Sequence, residues 1–211
     1  MGNVIVFQGD SITDAGRSRE ELPANIGLGS GYPYLVSANL LCNDAARNWQ
    51  IYNRGISGNR VVDLYARWKI DALNLKPDIL SILIGVNDTW HEMARQNGVE
   101  VPRYEMIYRM LLEWTKKELP ETKIVLLEPF VFRSEVVEEN WIEEIDARRA
   151  VVKKLSEEFD TLFIPLQSLL DEALKKNSNT LYWLRDGVHP TSAGHQLIAD
   201  AWLKATEGIR K

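Results

Sequence analysis

The chain has 211 residues, of which 45% are hydrophobic and 26% are charged, a composition typical of globular proteins. Its 25 basic and 30 acidic residues give a net charge of −5, and the basic residues are scattered, which argues against a nucleic-acid partner. No apolar run is long enough to cross a membrane or to act as a secretory signal. We therefore expect one cytoplasmic domain, residues 1–211, with no membrane association.

Short apolar runs recur along the chain and predict five β-strands. One of them, ILSILI, is apolar throughout, as expected for a strand that is covered on both faces. The predicted strands are Val4–Phe7, Gln50–Asn53, Asp78–Ile84, Lys123–Leu127 and Leu162–Pro165.

Between these strands, apolar residues recur at helical spacing and predict helices. Alternation of strands and helices predicts an α/β fold in which helices cover both faces of a parallel sheet. Thr191 or Ser192 is the predicted N-cap of the last helix, and Cys42, the single cysteine, is predicted to be a small core residue. The helical patterns lie within residues 34–42, 61–68, 104–114, 141–155 and 197–202.

Small and polar residues follow the first three predicted strands and precede the last helix. The segments are GDS after the first strand, NRGISGN after the second, GVND after the third and RDGVHP before the final helix. Ligands of open parallel sheets bind beyond the carboxyl ends of the strands, at the switch in strand order. These segments therefore predict a site at one edge of the sheet.

Together the segments contain every group that a serine hydrolase needs. Ser11 is the predicted nucleophile and His189 the predicted base, while Asp186, three residues earlier, can orient the imidazole. The backbone N–H groups of Ser11 and Gly58 and the side-chain amide of Asn87 are the predicted oxyanion hole.

Each of these residues also has a simpler structural explanation. Ser11 can cap a turn, Gly58 can be a turn residue and Asn87 can begin a helix. Asp186 precedes a glycine in a common turn pair, and His189 precedes a proline, where a histidine is often structural. The catalytic interpretation depends on all five residues converging at one edge of the sheet.

In order and content, the segments resemble the SGNH, or GDSL, hydrolase family, which is named for its Ser, Gly, Asn and His. GDSIT contains Ser11, NRGISGN contains Gly58, GVND contains Asn87, and DGVHP contains Asp186 and His189, so that the match spans residues 9 to 190. The resemblance implies a flavodoxin-like three-layer α/β/α fold with a five-stranded parallel sheet. It also implies ester hydrolysis through an acyl-serine, without a metal or a cofactor.

Competing catalytic motifs are incomplete. No G-x-S-x-G sequence is present, and His91-Glu92 begins a metalloprotease motif in which Arg95 occupies the place of the second histidine. A packing or capping role is expected for His195, and Asp88 is expected to brace the loop after the third strand.

The wider pattern is similar to a subgroup of intracellular carbohydrate acetylesterases that act on acetylated xylan fragments. The matching stretches are GDSITDAGRSR, GLGSGY, GISGN, LYARW and GVNDTW. The resemblance places Arg17 and Tyr32 in the acetyl-sugar pocket. Trp90 and Trp183 flank the motifs and can either stack on a sugar ring or pack in the core. Asp10 completes the substrate-binding candidates and is also expected to brace its turn.

The predicted substrate is therefore a small-molecule ester, an O-acetylated sugar such as a xylo-oligosaccharide. The alternatives are a general short-chain carboxylesterase or lysophospholipase, or a non-catalytic binding module of the same fold. A binding module predicts the loss of at least one of Ser11, Asn87, Asp186 or His189, and all four are present. Whether the chain forms a homo-oligomer is left open.

Overall fold

Five parallel strands form the centre of the structure, a computed structural model that describes residues 3–210. Each neighbouring pair is in parallel register, and the strand order is β2-β1-β3-β4-β5. All five predicted strands are confirmed, and their observed ends differ from the predicted ends by at most two residues. The strands are Val4–Gly9 (β1), Gln50–Asn53 (β2), Ile79–Leu83 (β3), Lys123–Leu127 (β4) and Leu162–Ile164 (β5).

Helices connect the strands and cover both faces of the sheet, so the predicted α/β/α arrangement is confirmed. Short 3₁₀ turns occupy Ala45–Arg47 and Leu73–Leu75. The helices within the described residues are Ser11–Asp14 (α1), Tyr32–Asn43 (α2), Val61–Asp71 (α3), Val86–Arg95 (α4), Val101–Glu118 (α5), Glu139–Glu158 (α6), Leu166–Ala173 (α7), Thr180–Trp183 (α8) and Ser192–Ala205 (α9).

Strand β1 shows how the two hydrophobic layers arise from the alternation of side chains along a strand. Ile5 and Phe7 belong to one buried cluster, which includes residues of α2, α7 and α9. Val6 points to the opposite face and joins a second cluster with residues of α3 and α5. Because apolar side chains are needed on both faces, the strand is a continuous apolar run and not an alternating one.

Four helices were not predicted, namely α1, α4, α7 and α8. Of these, α1 and α8 have four residues each, which is too short for a helical period to show. Helix α4 buries Val86, Asn87, Asp88 and Thr89, so three of its four buried residues are polar, and the apolar repeat that predicts the longer helices does not mark it.

The prediction for Cys42 was wrong, whereas the N-cap prediction for α9 is confirmed. Cys42 is exposed because it lies two positions after the buried Leu40, about 200° around the helix axis. The Thr191 hydroxyl accepts a hydrogen bond from the N–H of Gly194 at 3.3 Å and caps α9. No helix within residues 3–210 combines the length and apolar character needed to span a bilayer.

Candidate active site

The turn after β1 places Ser11 at the carboxyl edge of the sheet. Asp10 caps α1, because its carboxylate accepts the N–H of Ile12 at 3.0 Å. A side chain at Gly9 would clash with Thr13 and with the carbonyl oxygen of Leu83 on β3. Glycine is therefore required where β1 passes β3, and Ser11 follows as the first residue of a helix.

Ser11, His189 and Asp186 form a continuous chain of hydrogen bonds. The Ser11 Oγ lies 2.9 Å from His189 Nε2, and His189 Nδ1 lies 2.7 Å from Asp186 Oδ2. An Nδ1–H that donates to the carboxylate leaves Nε2 able to accept the proton of the serine hydroxyl. The structure thus brings together the three residues that the sequence placed in the triad.

The loop between α8 and α9 that carries Asp186 and His189 is held at both ends. Leu184 and Pro190 form an antiparallel bridge across its base. Ser134, in the segment after β4, donates its hydroxyl to the backbone oxygen of Asp186 at 2.7 Å. Ser134 was not singled out in the sequence, because a lone serine in an irregular segment carries no motif.

Asp186 is kept ionised by its hydrogen bonds. Partial burial acts to raise its pKa, but the backbone N–H groups of His189 and Val188 and the imidazole of His189 outweigh that effect, and its pKa lies below the usual range. A charged carboxylate next to Nδ1 stabilises the imidazolium that forms when His189 accepts a proton.

The loops after β2 and β3 supply the predicted oxyanion donors. Gly58 lies in a turn at a φ of +83°, a conformation that glycine adopts without strain. The Asn87 amide, at the start of α4, donates one hydrogen to the backbone oxygen of Asn59 at 3.2 Å, next to Gly58. Within residues 3–210 the second amide hydrogen has no acceptor, so Asn87 has a fixed orientation and one donor left over.

Asp14, at the end of α1, links the Ser11 turn to the loop that carries Gly58. Its carboxylate accepts the backbone N–H of Ser57 at 2.9 Å and the Ser57 hydroxyl at 2.7 Å, and it also pairs with Arg19. Burial acts to raise the pKa of Asp14, but these partners outweigh it and the pKa is lowered. Sequence reasoning missed Asp14, because Ser57, the partner that joins it to the Gly58 loop, lies 43 residues away in the chain.

Two further carboxyl groups lie buried behind the site. Burial raises the pKa of Asp10 to about 7 and that of Asp88 to about 8. Asp88 accepts the N–H of Val61 at 3.1 Å and so joins α4 to the start of α3. Both residues brace the backbone, as expected, and Asp10 is too deeply buried to contact a substrate.

A cavity of about 790 Å³ opens beside Ser11 and His189. Most of the other lining residues are small, hydroxyl-bearing or charged. The other lining residues are Ile12, Ala15, Gly16, Ser30, Ser57, Arg185, Pro190, Thr191, Ser192 and His195. Among residues 3–210, no cluster of three or more His, Cys, Asp or Glu side chains is arranged to bind a metal ion.

Besides Asp10, three further substrate-binding predictions disagree with the structure. Tyr32 is completely buried against Phe7 and bonds the Thr13 hydroxyl, so its side chain cannot reach a sugar. Trp183 is only 8% exposed and donates its indole N–H to the backbone oxygen of Asn177. Arg17 donates to the backbone oxygen of Gly55 at 2.6 Å and lies outside the cavity lining.

Trp90, by contrast, lies next to the triad. Its ring centroid is 5.7 Å from that of His189, and its other neighbour is Trp141 at 5.3 Å. Trp90 is partly exposed, but like Arg17 it is not among the residues that line the cavity, so its contact with a sugar stays a prediction.

Comparison with known proteins identifies the family of the chain. Residues 7–197 match the GDSL-like Lipase/Acylhydrolase family. The chain belongs to this family. This membership confirms the resemblance seen in the sequence and makes the protein a carboxylic ester hydrolase.

Individual members of the GDSL-like family are similar along almost the whole chain. An acetylxylan esterase from Geobacillus stearothermophilus is 38% identical over 96% of this chain and 93% of its own length. Its crystal structure superposes with a TM-score of 0.87 at 36% identity, covering 97% of this chain and 94% of the other. A crystal structure described as a GDSL-like lipase from Parabacteroides merdae has a TM-score of 0.93 at 48% identity and covers 97% of this chain and 95% of that one.

Proposed function

We propose that this protein is a serine esterase that removes O-acetyl groups from carbohydrates, with acetylated xylo-oligosaccharides as its substrate class. The observation that carries the proposal is the hydrogen-bonded series from Ser11 through His189 to Asp186 at the mouth of a cavity. The G. stearothermophilus relative is also described as an acetyl-xylooligosaccharide esterase. Variants of it that replace a serine or a histidine by alanine are described as catalytic mutants.

In the proposed first step, the Ser11 hydroxyl attacks the carbonyl carbon of the acetyl group while His189 Nε2 takes its proton. The N–H groups of Ser11 and Gly58 and the Asn87 amide stabilise the negative charge on the carbonyl oxygen. The tetrahedral intermediate then expels the sugar oxygen, which receives the proton from His189. This leaves an acetyl group on Ser11.

In the second step, His189 removes a proton from a water molecule that attacks the acetyl-serine. A second tetrahedral intermediate forms, is stabilised by the same donors, and expels the Ser11 Oγ, which takes back the proton from His189. The products are free Ser11 and acetic acid, which loses its proton to solvent as acetate. Asp186 stays ionised throughout, in agreement with its lowered pKa, and stabilises the imidazolium in both steps.

The chemistry of the cavity supports a sugar as the leaving group. Four hydroxyl-bearing residues line the cavity beyond Ser11. Their oxygen atoms can accept hydrogen bonds from the hydroxyls of a saccharide, whereas a long acyl chain gains nothing from them. The four residues are Ser30, Ser57, Thr191 and Ser192.

A substrate panel tests the proposal against its alternatives. We expect kcat/KM to fall from acetyl to butyryl to octanoyl p-nitrophenyl esters, and acetylated xylo-oligosaccharides to exceed p-nitrophenyl acetate. A preference for octanoyl esters would favour the general carboxylesterase or lysophospholipase alternative. Failure to hydrolyse any ester would favour the non-catalytic binding module.

Trp90, which is partly exposed and lies beside the His189 ring, gives a second test of the sugar substrate. If this ring stacks on a sugar, Trp90→Ala lowers kcat/KM for acetylated xylo-oligosaccharides by about fivefold more than for p-nitrophenyl acetate, since stacking contributes roughly 0.5–1.5 kcal/mol. Trp114→Ala, on α5, is the matched control, because Trp114 packs against Tyr65 and not against the triad. Equal losses on both substrates would remove Trp90 from the sugar site.

A further inference from the structure

Among residues 3–210, Arg185 is the only permanently charged side chain in the lining of the active-site cavity. None of the 30 acidic residues of the chain contributes to that lining, although the net charge of the protein is −5. Arg185 is exposed, and within residues 3–210 its guanidinium has no ion pair and no hydrogen bond. A cation without a partner therefore faces the space that a substrate enters.

The backbone of Arg185 is fixed relative to the reacting atoms. Its N–H donates to the backbone oxygen of His189 at 3.0 Å, and it directly precedes Asp186 in the loop closed by the Leu184–Pro190 bridge. The guanidinium thus projects from the same rigid loop as two members of the triad. Ser11 and Arg185 line the same cavity, so a substrate whose acetyl group lies at Ser11 can extend towards the guanidinium.

His195 adds an uncharged donor to the same cavity. Its Nδ1 accepts the backbone N–H of Tyr32 at 3.2 Å, so the hydrogen of the neutral ring resides on Nε2. Burial lowers the pKa of His195 to about 4, with repulsion from Arg185 and His189 as smaller causes, and the ring is neutral at pH 7. Within the described residues, Nε2 has no acceptor, although the ring lines the cavity.

A cation and a free N–H donor that border one cavity match the needs of a carboxylate, which binds a guanidinium fork and accepts further hydrogen bonds. We propose that Arg185 and the Nε2–H of His195 form a subsite for a carboxylate on the sugar, so that preferred substrates are acetylated saccharides that carry a uronic acid. This inference rests on the proposed function and narrows its substrate class.

The test uses two acetylated methyl glycosides that differ only in the group at C6, glucuronic acid against glucose. For the wild-type protein at pH 7 and low salt, we expect kcat/KM for acetate release to favour the acid by about fivefold, as for an accessible ion pair. Arg185→Gln removes this preference and Arg185→Glu reverses it. Arg103→Gln, an equal charge change at an exposed position on α5, preserves it.

His195 is tested by a substitution that keeps an acceptor in place of Nδ1 and removes the Nε2–H donor. Asn at this position retains an acceptor for the Tyr32 N–H but lacks the Nε2–H, so His195→Asn is expected to reduce the preference for the acid by about twofold. Raising the salt concentration to 0.5 M lowers the preference in the wild type, because accessible charges are screened.

The outcome distinguishes the subsite from the esterase reaction itself. Equal kcat/KM values for the two wild-type reactions, or a preference unchanged in Arg185→Glu, would overturn the subsite and leave the acetylesterase intact. If neither glycoside is hydrolysed, the substrate proposal fails, and titration of Ser11→Ala with both glycosides by NMR decides the subsite alone. The subsite is supported if Ser11→Ala binds the acid more tightly than the glucoside and the Ser11→Ala, Arg185→Gln double variant does not. Equal binding of the two glycosides by Ser11→Ala overturns the subsite.

Discussion

At the scale of single residues, the site combines the Ser11 hydroxyl with carboxyl groups in opposite protonation states. Asp186 lies at the edge of the cavity, and its hydrogen bonds lower its pKa. Asp88 is fully buried, and burial raises its pKa to about 8 despite the N–H of Val61 and the positive charge of Arg148. The same side chain is therefore an ionised partner of an imidazole in one place and an acid in the core in the other.

Ser11→Ala tests the role of the nucleophile. We expect nearly all p-nitrophenyl acetate hydrolysis to disappear, with only the acceleration from binding and the oxyanion donors remaining. Covalent labelling by a fluorophosphonate should disappear as well, while the thermal midpoint stays near that of the wild type. Ser178→Ala, at an exposed position outside the cavity lining, is the control. Normal turnover by Ser11→Ala would refute the mechanism.

Asp88 gives a pH-dependent prediction. Unfolded, it ionises near pH 3.9, whereas in the folded protein it stays protonated up to about pH 8. Folding therefore takes up a proton between these values, and the contribution of Asp88 to the free energy of unfolding falls as pH rises. Asp88→Asn cannot ionise, so its stability relative to the wild type should increase from pH 5 to pH 8. Urea denaturation at both pH values measures this, and parallel pH profiles would contradict it.

At the scale of elements, the site depends on loops that hold one another. The N–H of Ile56, in the loop after β2, donates to the backbone oxygen of Gly9 at the end of β1. Asp14 joins the same two segments through Ser57, and Asn87 joins the third through Asn59. Gly58 and Asn87, the proposed oxyanion donors, are thus positioned by a neighbouring loop as well as by their own.

Asp14→Ala should loosen the loop that carries Gly58 and lower kcat for p-nitrophenyl acetate by about tenfold to a hundredfold, since small misplacements of catalytic groups are costly. A smaller change in KM is expected, because Asp14 itself does not line the cavity. Asp14→Asn, which keeps one acceptor oxygen, should recover part of the loss. Asp200→Asn, on the exposed side of α9, is the control, and an unchanged kcat in Asp14→Ala would exclude the positioning role.

The Asn87 amide is the donor whose removal is simplest to interpret. Asn87→Ala should lower kcat by about 10²–10³ with little change in KM, because the amide acts mainly on charge that develops in the transition state. Steady-state kinetics with p-nitrophenyl acetate measures both constants. A large increase in KM at constant kcat would instead indicate a role in substrate binding.

At the scale of the whole molecule, two hydrophobic layers and one sheet connect the N-terminal and C-terminal segments. Trp202, on α9, is fully buried, packs against Phe7 of β1 and donates its indole N–H to the Ser81 hydroxyl of β3 at 3.0 Å. Helix α9 is therefore packed against the central strands, and α9 and β1 stabilise each other in the fold.

We therefore predict that the protein unfolds as one cooperative unit, in keeping with one domain over residues 1–211. Trp202→Ala should lower the free energy of unfolding by about 3–5 kcal/mol. Trp202→Phe should lower it by less, because phenylalanine keeps much of the packing although it loses the hydrogen bond to Ser81. Urea transitions followed by tryptophan fluorescence and by far-UV circular dichroism should coincide. Separate transitions would indicate more than one folding unit.

Local patterns in the sequence were sufficient to predict the strands, which are confirmed, and to select the residues proposed for the triad. The apolar runs predict strands because both faces of the sheet are covered, and the motif residues follow strand ends because a parallel sheet collects those ends at one edge. Ser11, Asp186 and His189 could thus be assigned roles before any distance between them was available.

Tertiary structure alone decided how the other side chains are used. Tyr32 and Trp183 are near the motifs in sequence but are buried, whereas Arg185 and His195 face the cavity. Whether a side chain faces a cavity or the core depends on how helices and loops pack over the sheet, and sequence spacing within one segment does not contain that information. The sequence therefore determined the fold and the candidate reacting groups, while long-range packing determined which other side chains line the cavity.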